Sequence, residues 1–178
     1  LEACAEHNKQ VIVLDRPNPI GCTQREGPVL EPAFRSFVGL APIPVRHGMT
    51  IGELARFFNE HLCINANLQV IWMEGYKRRM YFEHTLLPWV LPSPNMPTVD
   101  TAFVYPGFCL LEGTNISEGR GTTKPFEVFG APYIDQKALL QRLSSFKLPG
   151  VIFRPMHFVP TFNKWQGQLC AGAQVHVI

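Results

Sequence analysis

The chain has 178 residues, which is enough for one domain with a hydrophobic core, or for one domain and part of another. Hydrophobic residues make up 46% and charged residues 17%, a composition typical of a folded globular protein rather than a disordered one. The net charge is +2, the longest basic run is residues 77–79, and no apolar run reaches the roughly 20 residues of a membrane span, so we expect neither a nucleic-acid partner nor a transmembrane segment.

The first elements of the chain predict a parallel sheet. Residues 1–8 have the composition of a helix end, and the apolar run Val11–Leu14 follows them. A short strand without polar positions predicts burial on both faces, as in a parallel sheet. Ligands bind at the carboxyl ends of such strands, so Asp15, Arg16 and Asn18 are candidate substrate-binding residues. The alternative is an ordinary turn stabilised by the Asp and Asn side chains.

A helix with a clear start signal comes next. Thr50 and Glu53 have the spacing of a capping box, and the apolar stripe behind them predicts a helix over residues 51–62. Arg46 and His47 precede this helix, whose N-terminus favours an anion. His47 is a candidate catalytic acid or base because histidine titrates near neutral pH, and a structural histidine in a turn is the alternative.

The middle of the chain continues the alternation of helix and strand. Residues 68–73 predict a second buried strand, which indicates an α/β fold with parallel strands. The four prolines of residues 87–97 predict an extended connection. Residues 98–111 are apolar and predict a helix that Pro106 and Gly107 interrupt.

The last third predicts one more helix and several strands. Asp135 can cap a helix that runs to about Phe146. Apolar runs predict strands over residues 151–153, 158–162 and 175–178.

Residues 112–127 form a polar loop between two hydrophobic segments. Such a loop favours a polar ligand because little in it can be buried as apolar surface. Glu112 and Glu118 are candidate catalytic carboxylates, provided that their surroundings separate their pKa values. Alternatively, Glu118–Arg120 and Glu112–Lys124 are structural ion pairs that hold the loop.

Cofactor motifs are missing from the sequence. The five cysteines are scattered without a Cys-x-x-Cys pair, so we expect free thiols and no metal site. The glycines of the polar loop match neither of the common phosphate-binding patterns, so we expect no nucleotide and no other cofactor.

Long strings of residues, in a fixed order, match one protein family. They include DRPNPIG at 15–21, PIPVRHGMTIGELA at 42–55, PWVLPSPNMPT at 88–98 and VYPGFCLLEGTNISEGRGTTKPFEVFGAP at 104–132. These strings resemble bacterial exo-β-N-acetylmuramidases, which are glycoside hydrolases of peptidoglycan recycling. The resemblance extends over nearly the whole chain.

The resemblance implies a two-part fold and a location. Residues 1–130 are expected to be the C-terminal part of a Rossmann-like parallel-sheet catalytic domain, and residues 131–178 the start of a smaller α+β auxiliary domain. The glutamate proposed as catalytic in the family lies in a Glu-His-Gly motif, which this sequence does not contain. We therefore expect an internal fragment whose main catalytic glutamate lies upstream of Leu1, in a secreted or periplasmic protein.

The resemblance also implies a substrate, the N-acetylmuramic acid at the non-reducing ends of peptidoglycan fragments. This sugar carries hydroxyl groups, an acetamide and a lactyl carboxylate. Hydrogen bonds to the sugar are expected from Asn115, Ser117 and the loop glutamates, and either Arg46 or Arg120 can pair with the carboxylate. A non-catalytic module that binds muropeptides is the alternative function. The candidate catalytic residues are Glu118, Glu112 and His47, and the candidate substrate-binding residues are Asp15, Arg16, Asn18, Arg46, Asn115, Ser117 and Arg120.

Overall fold

The structure, a computed structural model, describes residues 1–178 and divides into two compact units, Leu1–Pro88 and Trp89–Ile178. We call them the N-terminal unit and the C-terminal unit. The predicted boundary between residues 130 and 131 differs from this division, and as a statement about the domains of a longer protein it stays a prediction. No helix in either unit has the length and apolarity that crossing a bilayer requires.

The N-terminal unit contains two small sheets and one long helix. Its elements are α1 (Glu2–Glu6), β1 (Val11–Leu14), β2 (Glu26–Val29), β3 (Pro44–Arg46), α2 (Ile51–His61) and β4 (Leu68–Ile71), with 3-10 turns at Pro32–Phe34 and Phe82–Thr85. Strands β1 and β4 pair in parallel, which confirms the predicted parallel strands, and β2 and β3 pair antiparallel.

Helix α2 begins at the predicted capping box. The Glu53 backbone N–H donates to Thr50 Oγ1 over 3.3 Å, and the Thr50 backbone N–H donates to Glu53 Oε2 over 2.9 Å. Two N–H groups that the helix itself cannot satisfy therefore find acceptors. In the chain the helix follows the β2–β3 hairpin and precedes β4, and it packs on one face of the β1–β4 pair, where Gly52 lies against Val70.

The other face of the β1–β4 pair is open, so the predicted burial on both faces is wrong for this chain. Ile12 and Leu14 are 55% and 67% exposed, and Ile71 of β4 is 45% exposed. The alternate residues Val13 and Val70 are half-buried beneath α2. A fully apolar strand needs a layer on each side, and these residues supply a layer on one side only.

The C-terminal unit is a three-stranded antiparallel sheet with two helices. Its elements are α3 (Val99–Phe108), a 3-10 turn (Cys109–Gly113), β5 (Val128–Ala131), α4 (Gln136–Ser145), β6 (Val151–Phe158) and β7 (Cys170–Val177). The strand order is β5-β7-β6. One core cluster forms around Val104, Phe126 and Val175, and a second around Val128, Phe158 and Cys170.

Two predictions for the C-terminal unit are wrong. Pro106 does not interrupt α3, because it removes a single backbone hydrogen bond in the last turns while Val104 and Phe108 stay packed in the core. The strand predicted over residues 158–162 does not form, because the preceding strand β6 ends at residue 158. Residue 158 is the last residue of β6, which is one continuous strand and tolerates Pro155 because it lies at the sheet edge. Asp135 caps α4 as predicted.

The helices and strands of the two units belong to the mixed α/β class, with small parallel and antiparallel sheets. This confirms the α/β class in outline.

Candidate functional site

A cleft with a volume of about 390 Å³ opens at the carboxyl ends of β1 and β4. Arg16 and Pro17 line it from the end of β1, and Met73 and Glu74 line it from the end of β4. The remaining wall is formed by Gly75, Tyr76, Met80, His84, Thr85 and Leu87. Ligands of parallel sheets bind at this edge, so the cleft is the candidate site of the N-terminal unit.

Apart from Arg16, the polar residues of this cleft were not predicted from the sequence. Glu74 follows β4 as Asp15 follows β1, so the strand-end rule applied to the second strand would have found it. The Tyr76 hydroxyl lies 3.4 Å from Cys22 Sγ, and burial raises the pKa of Tyr76, which keeps the phenol protonated. His84 and Tyr76 come from the loop after β4, where no local pattern predicts a site.

Asp15 and Asn18 serve the backbone around Arg16. Asp15 is 8% exposed, and its Oδ1 accepts the backbone N–H groups of Gly52 (2.9 Å) and Arg16 (3.0 Å). Asn18 Nδ2 donates to the Met49 carbonyl over 2.9 Å, and its Oδ1 accepts a backbone N–H two residues further on. These contacts are those of a turn stabilised by its Asp and Asn side chains, which was the alternative interpretation of this segment. A role for either side chain in binding substrate stays a prediction.

Arg46 is engaged by the protein itself. Its guanidinium donates to Glu26 over 2.6 Å, to Gln24 over 3.1 Å and to the Ile20 carbonyl over 2.6 Å, and the side chain is 15% exposed. It therefore holds the β2–β3 hairpin to the turn after β1. A substrate-binding role for Arg46 stays a prediction.

The neighbouring His47 accepts a hydrogen bond. Its Nδ1 takes the Met49 backbone N–H over 3.1 Å, an arrangement that requires an unprotonated Nδ1. Burial lowers the pKa of His47 below its usual 6.5, although Glu53 acts in the opposite direction. The neutral imidazole is thus the folded form at neutral pH, and its role as catalytic acid or base stays a prediction.

This histidine predicts a pH dependence of stability. As pH falls below 6.5, the unfolded chain takes up a proton on His47 before the folded chain does, so the free energy of unfolding decreases. We expect the wild type to lose more stability than His47→Gln between about pH 7.5 and about pH 5.5, as measured by urea unfolding. Equal losses in the two proteins would contradict the assigned direction of the pKa shift.

In the C-terminal unit, Glu118 lies at the centre of a buried charge cluster. Its side chain is 2% exposed, with Oε2 at 2.9 Å from Lys164 Nζ and Oε1 at 3.3 Å from Arg120 Nε. Asn163 Nδ2 donates to Oε1 over 3.4 Å, and Lys164 also donates to the Leu111 and Ile116 carbonyls at 2.8 and 3.1 Å. A carboxylate enclosed by two cations and an amide is typical of a structural ion pair. The catalytic role of Glu118 stays a prediction.

The ion pairs of the polar loop differ in part from the predicted alternative. The Glu118–Arg120 pair is confirmed, but Glu112 binds Arg120 over 2.6 Å instead of Lys124. Lys124 pairs with the buried Glu127 over 2.9 Å, so the predicted Glu112–Lys124 pair is wrong. Arg120 thus lies between two carboxylates. The roles of Glu112 in catalysis and of Arg120 in binding substrate stay predictions.

The two small polar candidates of the loop also have partners within the unit. Asn115 Oδ1 accepts from the Tyr133 hydroxyl over 2.6 Å, and its backbone carbonyl accepts from Trp165 Nε1 over 2.7 Å. Ser117 is 2% exposed and exchanges two backbone hydrogen bonds with Gly130, at 2.8 and 3.0 Å. The loop is thereby tied to β5 and to the β6–β7 connection, and substrate binding by either residue stays a prediction.

The sequence matches two family models that together account for nearly the whole chain. Residues 1–100 match the N-terminal model of exo-β-N-acetylmuramidase NamZ, and residues 103–178 match the C-terminal model of the same family. A peptidoglycan β-N-acetylmuramidase NamZ from Bacillus subtilis is 59% identical over 177 residues, covering 99% of this chain and 43% of that protein.

Two solved structures of DUF1343 family proteins from Bacteroides fragilis have the same fold. One superposes with a TM-score of 0.92 at 42% identity, covering 99% of this chain and 47% of the other. The second has a TM-score of 0.78 at 33% identity, covering 97% and 46%. The chain therefore spans less than half the length of each of these relatives. The family models, the identity and the shared fold agree with the resemblance seen in the sequence, and the chain belongs to the exo-β-N-acetylmuramidase NamZ family.

Proposed function

We propose that the full-length protein is an exo-acting glycoside hydrolase that releases N-acetylmuramic acid from the non-reducing ends of peptidoglycan fragments. Family membership and the 59% identity to the Bacillus subtilis β-N-acetylmuramidase support the activity. That identity carries the proposal, and we place the sugar in the cleft at the carboxyl ends of β1 and β4. Because peptidoglycan lies outside the cytoplasmic membrane, we also propose a secreted or periplasmic location.

The parallel pair of the N-terminal unit supports a Rossmann-like layer. Strand β1, helix α2 and strand β4 form a βαβ unit in which the β2–β3 hairpin is inserted before the helix. The open face with Ile12 and Leu14 leaves room for a second layer of helices. In such a layer the cleft has the usual position of a ligand site.

Within this cleft we assign one of the two reacting carboxylates to Glu74. Glycoside hydrolysis uses a pair of carboxyl groups, and Glu74 is the carboxylate among the residues that line the cleft. Its side chain is exposed, whereas Glu118 would have to leave both Lys164 and Arg120 to reach a sugar. The family resemblance assigns the second carboxylate to a glutamate outside this chain.

The test is the release of chromophore from a chromogenic N-acetylmuramic acid glycoside by full-length protein. Glu74→Gln is expected to lower kcat about 100-fold or more, because an amide cannot transfer the proton or stabilise the developing charge. Glu60→Gln is the matched control, since Glu60 lies on the exposed side of α2 with a side chain that is 69% exposed.

Two outcomes would contradict the proposal. If the wild type binds muropeptides but releases no chromophore, the protein is a binding module and not a hydrolase. If the wild type is active and Glu74→Gln retains its kcat/KM, the reacting carboxylate lies elsewhere.

A further inference from the structure

One cation of the cleft remains available to a ligand. N-acetylmuramic acid differs from N-acetylglucosamine by a lactyl carboxylate, so an enzyme that distinguishes them needs a group that favours this negative charge. We propose that Arg16 is this group and that it sets the specificity of the cleft. The proposal rests on the proposed function, since it takes the sugar as the ligand.

The other arginines considered for this role are committed to carboxylates of the protein. Arg46 bonds to Glu26 and to two further oxygens, and Arg120 lies between Glu112 and Glu118. An arginine in such contacts would have to leave a protein carboxylate uncompensated in order to bind a ligand carboxylate. For the buried Glu118, that exchange is costly.

Arg16 has no such commitment. Its side chain is exposed and lines the cleft, and neither a hydrogen bond nor an ion pair engages its guanidinium. A guanidinium carries a planar fork of N–H groups that matches the two oxygens of a carboxylate. The group that the lactyl carboxylate requires is therefore present in the cleft and unoccupied by protein partners.

The backbone that carries Arg16 is held in place on both sides. Its N–H donates to Asp15 Oδ1 over 3.0 Å, and that same oxygen accepts from Gly52 at the start of α2. Pro17 follows directly, and Asn18 ties the turn to the Met49 carbonyl. Less conformational entropy is lost on binding when the anchor is fixed, so the two flanking polar residues position Arg16.

Arg16 also offsets the negative charge of Glu74 in the same cleft. Glu74 lines the same cleft, and its carboxylate repels the carboxylate of the ligand. A cation at the carboxyl end of the neighbouring strand β1 offsets this repulsion. Two other cations, Lys77 and Arg79, line an adjoining depression of about 330 Å³. This depression shares Met80 and His84 with the cleft, so Lys77 and Arg79 are the alternative candidates for binding the lactyl carboxylate.

The experiment compares two chromogenic substrates in the full-length protein. One is the N-acetylmuramic acid glycoside, and the other is the same glycoside with the lactyl carboxylate converted to a neutral amide. Arg16→Gln is expected to lower kcat/KM for the acid substrate about 10- to 100-fold, mainly through KM, and to leave the amide substrate unchanged. Arg16→Lys should recover part of the loss because it restores the charge without the fork. Arg79→Gln is the matched control.

The inference is overturned if Arg16→Gln affects both substrates equally, or if Arg79→Gln causes the selective loss instead. A wild type that cleaves neither substrate would refute the hydrolase proposal. The role of Arg16 could then still be tested by measuring ligand binding. In that case, titration calorimetry with free N-acetylmuramic acid and N-acetylglucosamine should show a preference for the acid that Arg16→Gln abolishes. No preference in the wild type would overturn the inference.

Discussion

Replacing Lys164 with methionine is expected to lower the free energy of unfolding of the C-terminal unit by about 3–5 kcal/mol. The change leaves Glu118 inside the protein, with a side chain that is 2% exposed, and removes the nearer of its two cations. It also takes the donor from two backbone carbonyls, those of Leu111 and Ile116. The buried carboxylate of Glu118 is left with Arg120, which it shares with Glu112, and this weaker compensation and the two lost donor contacts act in the same direction.

Urea unfolding, followed by circular dichroism and tryptophan fluorescence, measures this loss. The control is Arg56→Met, because Arg56 pairs with Glu60 on the surface, where the two side chains are 57% and 69% exposed, and we expect a cost below about 0.5 kcal/mol. Adding Glu118→Gln to Lys164→Met should restore part of the stability, since a neutral amide replaces a buried carboxylate that has lost the nearer of its two cations. A Lys164 variant no less stable than the Arg56 variant would refute the structural role of the cluster.

Glu118→Gln on its own separates a structural Glu118 from a catalytic one. A catalytic carboxylate changed to glutamine loses kcat while the free energy of unfolding stays nearly constant. A structural carboxylate loses stability first, and its kcat at low temperature changes little. The contacts with Lys164 and Arg120 favour the second outcome.

Local signals in the sequence predicted the helix starts and the parallel strand pair. The capping box of Thr50 and Glu53 and the capping residue Asp135 act within one helical turn, so their partners are fixed by spacing alone. The apolar runs that become β1 and β4, and their parallel pairing through α2, follow from the alternation of strand and helix. The strand-end rule then indicated Arg16, which does line the cleft.

Contacts between distant residues could not be predicted in this way. Lys164 is 46 residues from Glu118 in the sequence, and nothing near either residue indicates the other. The polar loop therefore suggested two catalytic carboxylates, whereas in the fold Lys164 pairs with one of them, Glu118, and the side chain of Glu118 is buried. The open face of β1 was missed for a related reason, since a continuous apolar run indicates two covering layers but not whether this chain provides both.

A pair of glycines in the antiparallel sheet allows strands β5 and β7 to approach closely, and replacing one of them is expected to cause a large loss of stability. Gly172 of β7 lies opposite Gly130 of β5 in the strand register. A Cβ on Gly172 would overlap the Phe129 carbonyl oxygen and lie 2.7 Å from Gly130 Cα. Both of these atoms belong to the backbone, so relief requires the strands to move apart, and not merely a change of side-chain rotamer.

Gly172→Ala is therefore expected to lower the free energy of unfolding by about 3 kcal/mol or more, as measured by urea and thermal unfolding. The loss should extend beyond one contact, because β7 is the central strand and pairs with both β5 and β6. The polar loop depends on β5 as well, through the backbone bonds between Ser117 and Gly130. Gly107→Ala is the matched control: a Cβ there meets no atom within 4 Å, and alanine in α3 should stabilise the helix by about 0.5–1 kcal/mol. If Gly172→Ala unfolds at the same urea concentration as the wild type, the close approach of β5 and β7 does not require glycine at position 172.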